Sequence, residues 1–241
     1  MPSRQRELIK MLVLATMLAD HVGRIFFPDL LALRALGRLC FPLVAALLAD
    51  GMLRTSNPLA YGLRLLALAV VSQWPYQLAF DPPWGRALLE PILLLRAPAL
   101  IPLLTWSPLL PEGNVAFLLA LSVLAVGLLK ARRWLWLSVV AVAAFLLPVE
   151  YGLYGLISIV VFYLYFTRKL SASFMVLALC LLSAVMAFLS GQTLQVIAPL
   201  ALIVIFPRNG LAGLKFRLPK ALFYLFYPAH LLLLGSLARG V

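Results

Sequence analysis

Three residue types with chemical reach stand within five positions of one apolar run. In LATMLADHVGRIFF, residues 14–27, Asp20, His21 and Arg24 interrupt side chains that otherwise suit a membrane helix. A histidine exchanges protons near neutrality, a carboxylate balances positive charge, and a guanidinium stays cationic and grips oxyanions through a planar fork. Ionisable groups at membrane depth are costly and commonly mark a bundle interior or a water-filled cavity. Residues three or four apart share a helix face, so Asp20 is expected to pair with Arg24, with His21 beside Arg24. Asp20 and His21, as neighbours, point about 100° apart and do not orient each other.

Further polar residues fall at a similar depth when each run is measured at about 1.5 Å per residue. Arg34 and Arg38 come early in the second apolar run, and Gln73, Trp74 and Tyr76 late in the third. Asn114 opens the fourth run, Glu150, Tyr151 and Tyr154 border the sixth, and Tyr227 and His230 share a face in the last. One buried site is the expectation. Plainer roles exist for most of them: a locking Asp20–Arg24 pair, a snorkelling Arg34, a turn-capping Glu150 and a hydrogen-bonded core His230. His21 has no such role in a span that requires neither it nor its charged neighbours.

The elements that must position these groups are membrane helices. Of 241 residues 64% are hydrophobic and only 12% charged, against about 45–50% and about 25% in soluble domains. The sequence is therefore read as all-α, a polytopic helical bundle in a single domain over 1–241. The net charge of +12 fits cytoplasmic loops rich in Lys and Arg. No basic run is interleaved with aromatics, so nucleic acid is not an expected partner. Cys40 and Cys180 lie in apolar runs with neither metal-ligand nor disulfide spacing, and no metal is expected. The basic start resembles a signal peptide, but no A-x-A site follows and the run reads as an uncleaved first span.

Spans of about 20 apolar residues are placed at 8–27, 31–53, 60–80, 114–130, 134–149, 151–167, 173–190, 194–206 and 221–238. With the N-terminus cytoplasmic, the inside segments take Arg4, Arg6, Lys10, Arg54, Arg64, Lys130, Arg132, Arg133, Arg168, Lys169, Arg208, Lys215, Arg217 and Lys220. The short outside gaps hold no basic residue. Nine spans, N-in and C-out, satisfy the positive-inside rule. The segment 81–113 carries Pro91, Pro98 and Pro102 with Glu90 and Arg96. Proline removes a backbone donor and kinks helices, so an outer-face or re-entrant segment is expected there. No internal repeat of the transporter kind is visible.

The run LADHVGRIFFPDLLALRALGRLCFPLVAALLADG resembles the opening of the TraX family of pilin-acetylation proteins, which pairs D-H-x-x-R with G-R-x-x-F-P. SQWPYQLAF at 72–80, GNVAFLLAL at 113–121, YGLYGL at 151–156 and YLFYPAHLLLL at 224–234 follow in the family's order. The chain departs from that pattern at Leu118, where a hydroxyl residue is usual, and in its long Pro-rich insert at 82–112. The family is distantly similar to membrane acyltransferases of the acyltransferase 3 kind, which place a catalytic histidine in the first helix.

This resemblance implies a membrane acetyltransferase of the bacterial cytoplasmic (inner) membrane. Acetyl-CoA is the donor, and a pilin N-terminus, another protein or an envelope glycan is the acceptor. His21 would serve as general base, Arg24 and Arg38 as oxyanion or donor contacts, and Asp20 as the charge that fixes Arg24. Tyr227 and His230 would align the acceptor or relay the proton. Arg54, Arg64, Lys130, Arg132 and Arg133 would meet the coenzyme A phosphates, with the pantetheine arm threading between helices. No compact coenzyme A motif such as G-x-G is present. A buried polar site also suits a transporter or flippase, and a structural subunit of a conjugation or secretion apparatus would not need His21.

Overall fold

A computed structural model of the chain describes residues 1–80, 112–206 and 217–240. These residues are helical, joined by short turns. The helices are α1 Ser3–Ile25, α2 Leu31–Gly37, α3 Cys40–Arg54, α4 Pro58–Phe80, α5 Val115–Lys130, α6 Trp134–Leu146, α7 Gly152–Phe166 and α8 Ala172–Ser190. A 3-10 stretch Thr193–Ala201 then leads through α9, Leu202–Ile205, towards α10, Lys220–Arg239. The expected outer-face or re-entrant form of 81–113 falls almost wholly on residues 81–111, outside the described residues.

Among the described residues three segments are long and apolar enough to cross a membrane: Leu31–Arg54, Ala172–Ser190 and Lys220–Arg239, with mean hydropathies of 1.8, 2.5 and 1.6. Four shorter apolar helical segments accompany them, Val115–Lys130, Trp134–Leu146, Gly152–Phe166 and Thr193–Ile205. Apolar side chains such as Leu135, Phe188 and Ile203 stand well exposed on the outside of the bundle.

Two expected spans differ in form. The run 31–53 breaks at Arg38 and Leu39 because Pro42 has no N–H for the Arg38 carbonyl, and its ring crowds that carbonyl. The run 194–206 winds mainly as 3-10 turns and contains Pro199. Helix α3 lies at the centre, with Ala45, Ala46 and Ala49 fully buried and α1 and α7 packed against it.

Contacts between helix ends sort the described residues into two ends of the bundle. Asp50 near the end of α3 meets the Met1 amine at 2.6 Å and Arg6 at 3.0 Å. Gln5 donates to the Ile205 carbonyl at 2.7 Å, and the Leu218 amide donates to Glu7 at 3.0 Å. Burial alone would raise the Glu7 carboxyl, but hydrogen bonds from Lys10 and the Leu218 amide outweigh it and hold Glu7 below the usual carboxylate range. Arg54, Lys130, Arg132, Arg133, Arg168, Lys169 and Lys220 belong to this basic end. At the opposite end Arg239 donates to the Gln77 carbonyl, and Gly113 pairs with Val149 in an isolated bridge.

Candidate active site

Near that opposite end, α1 brings His21 against His230 of α10. Their Nδ1 and Nε2 atoms stand 2.6 Å apart. The rings are coplanar within 1° with centroids 4.9 Å apart, so they lie end to end in one plane. His230 Nδ1 is 2.6 Å from the Phe226 carbonyl. That carbonyl can only accept, so His230 carries its proton on Nδ1. In the neutral pair His230 Nε2 then accepts from His21 Nδ1–H, and the lone pair of His21 is left on Nε2. The chain of bonds fixes both tautomers. His21 and His230 are 8% and 5% exposed.

Asp20 and His21 border a cavity of about 130 Å³ that runs between α1, α3, α4, α5 and α10. Glu150, Tyr151 and Tyr227 complete its polar pole. From there Val44, Leu47, Leu65, Leu68 and Leu119 line an apolar bore that reaches Tyr61 and Tyr224. Cys40 to Leu48 on one wall spans about 12 Å at 1.5 Å per residue. That end, at Tyr61 and Tyr224, lies towards the basic side of the bundle. Tyr227 sits on the wall with its ring 5.9 Å from that of His230, and its hydroxyl has no hydrogen-bond partner at ordinary geometry among the described residues.

The expected Asp20–Arg24 pair does not form. Asp20 Oδ1 receives Arg34 Nε at 3.3 Å and Arg38 Nη2 at 3.6 Å. Arg24 instead lies over the Phe80 ring, 4.2 Å from its centroid. The reason is the close crossing of α1 and α2: a Cβ at Gly37 would overlap the Asp20 side chain. With α2 so near, tertiary partners replace the helix's own i, i+4 neighbour. The snorkelling role read for Arg34 likewise gives way to this ion pair.

Arg38 is 7% exposed and also donates to Gln192 at 2.8 Å and Gln195 at 3.4 Å. Gln195 donates to the Tyr154 hydroxyl at 3.0 Å, which meets Ser183 at 3.3 Å. Neither Arg24 nor Arg38 borders the cavity. Arg38 acts on the pole through Asp20. Gln192, Gln195 and Ser183 have no counterpart among the residues singled out by sequence. The one signal for them is that amides and hydroxyls sit within otherwise apolar stretches.

The five basic residues matched to coenzyme A phosphates, Arg54, Arg64, Lys130, Arg132 and Arg133, are all exposed at the basic end. Arg54 is committed to Asp50 at 2.8 Å, and Arg64 lies 5.7 Å from the Tyr61 ring centroid at the mouth of the bore. Glu150 serves its turn through its backbone. Its backbone amide bonds the Gly113 carbonyl at 2.9 Å, while its side chain borders the cavity.

A family model described as TraX protein matches residues 5–238. The chain belongs to the TraX family. It is also 26% identical over 249 residues to the probable fimbrial assembly protein FimC, serogroup H1, of Dichelobacter nodosus, covering 95% of this chain and 93% of that protein. No solved structure matches the chain. The resemblance read from the D-H-x-x-R and G-R-x-x-F-P elements is thus borne out at the level of family.

Proposed function

We propose that the chain is a multi-pass inner-membrane acetyltransferase, one transmembrane domain of nine spans, N-in and C-out. It moves an acetyl group from acetyl-CoA to an acceptor amine or hydroxyl, such as a pilin N-terminus. The observation that carries this reading is a bore joining the basic end to a histidine whose free lone pair is fixed by a second histidine. The gathering of basic residues at one end supports the orientation. Membership of the TraX family supports the chemistry, and the name of the Dichelobacter relative supports an acceptor among pilus components.

The donor's phosphates would stay among the exposed basic side chains while its arm occupies the bore and its thioester reaches the pole. The acceptor nitrogen or oxygen attacks the carbonyl carbon as His21 Nε2 removes its proton. The new bond to carbon forms, the C–S bond breaks, and His21 returns that proton to the leaving sulfur. The Tyr227 hydroxyl is a donor for the carbonyl oxygen as negative charge develops there. His230 and the Phe226 carbonyl keep the His21 lone pair outward throughout.

Transfer of labelled acetyl by the purified protein in detergent tests the reading. Val44→Phe, which fills the middle of the bore without touching the pole, is expected to raise the KM for acetyl-CoA at least tenfold. Wild-type protein that transfers to no acceptor, yet moves a solute across vesicles, would instead make the cavity a transport site.

A further inference from the structure

The turn between α6 and α7 has an uncommon build. Tyr151 takes a left-handed φ of 65° and Gly152 follows at 39°. A non-glycine residue in that region is disfavoured and persists where its surroundings hold it, which occurs disproportionately at functional sites. Here the surroundings are explicit. Gly113 donates to the Pro148 carbonyl at 2.7 Å, Glu150 donates back to Gly113 at 2.9 Å, and the Tyr151 ring stacks on Phe41 at 4.2 Å.

What this turn achieves is to set the Glu150 side chain on the cavity wall beside Asp20 and His21. The two nearby arginines that reach a carboxylate, Arg34 and Arg38, are both on Asp20. Arg24 is over Phe80. Among the described residues the Glu150 carboxylate therefore has no ion pair and no hydrogen bond. A carboxylate left unpaired in a largely apolar cavity suits a cationic ligand, because burying it alone is unfavourable.

Resting on the acetyl-transfer reading, we infer that Glu150 is the substrate-binding residue that recognises an acceptor amine in its ammonium form. A hydroxyl acceptor would leave the carboxylate without its counter-charge. The protonated amine pairs with Glu150 and passes it one proton, giving a neutral amine and a neutral acid. The amine then attacks the thioester, its second proton going through His21 to the sulfur, and Glu150 loses its proton to water. The group suits both duties: lying in the turn outside the spans, it is pushed up to about 7 by burial, Glu112 adding to the rise and Arg24 opposing it.

The test uses the full-length protein, acetyl-CoA and two short peptides that differ only in an N-terminal amine or a hydroxyl in its place. Wild type is expected to favour the amine peptide, and Glu150→Gln to reduce the amine-to-hydroxyl ratio of kcat/KM at least tenfold, with Glu150→Asp restoring part of it. A ratio unchanged by Glu150→Gln, or a wild type that favours the hydroxyl, would overturn the assignment. Calorimetric binding of the amine peptide keeps the two ideas apart. If wild type releases no thiol with either peptide, acetyl transfer fails, yet at least tenfold weaker binding to Glu150→Gln still supports Glu150 and equal binding refutes it.

Discussion

Two aspartates, one at each end of the bundle, are bound by arginines from neighbouring elements, and they serve different ends. Asp50 is 1% exposed, and both its oxygens are occupied: Oδ1 by the Met1 amine and Arg54, Oδ2 by Arg6 and Arg54. It borders no part of the cavity. Among the described residues Asp20 is engaged through Oδ1 alone, by a hydrogen bond from Arg34 at 3.3 Å and an ion pair with Arg38 at 3.6 Å, while its side chain is 15% exposed and the residue borders the cavity. The same pair of residue types makes a closed lock at one end and an open, charge-balanced wall at the other. Saturation marks structure, and unspent capacity marks the site.

Substitutions at the two ends can break this contrast. The largest stability effect is expected at the closed lock. Asp50→Ala leaves Arg6, Arg54 and the terminal amine uncompensated. Since Arg54 can turn towards water, the cost falls towards the lower end of about 3–5 kcal/mol. A drop in the unfolding midpoint in detergent measures it. If instead the midpoint holds and acetyl transfer alone is lost, the two aspartates are not distinguished as described.

A matched pair of glycines sharpens the comparison. A Cβ at Gly37 would overlap the Asp20 side chain near its rigid base, so α2 must move off α1. Gly37→Ala is expected to cost about 1–3 kcal/mol and to lower transfer at least tenfold by displacing Asp20 and Arg38. At the other end, Gly51→Ala meets the Tyr61 hydroxyl at 3.0 Å, the free tip of a side chain that can swing aside. Its effect is the smaller, under about 1 kcal/mol; because Tyr61 lines the bore, any change in transfer falls on the KM for acetyl-CoA, with kcat nearly unchanged. Equal losses of kcat in the two variants would mean that the Gly37 contact carries no special duty.

The sequence made this contrast only half legible. Helices are readable from apolar runs, and polar depth singles out both His21 and His230, which the bundle brings into contact. Their contact, across 209 positions, rests on how α10 docks beside α1, which no local pattern encodes. Asp20 was paired with Arg24 because the i, i+4 rule holds for a helix by itself. In the bundle Gly37 admits α2, and two arginines from outside the helix take the carboxylate. Gln195 carries little signal, because a glutamine in a short apolar run resembles a surface residue and only docking against Arg38 and Tyr154 gives it buried partners. Glu150 is legible as a polar residue at the depth of the site, with turn-capping as its plainer role; the left-handed Tyr151 that follows it cannot be foreseen from its type.

Coenzyme A release from acetyl-CoA, with and without a free-amine peptide, is the most direct measurement. Wild type and His21→Ala would be compared in detergent at matched unfolding midpoints. A positioned base contributes about 10²–10⁴-fold, so release by His21→Ala should fall at least hundredfold while the protein stays folded. Peptide-dependent release that persists undiminished in His21→Ala would contradict the account and move the chemistry away from the paired histidines.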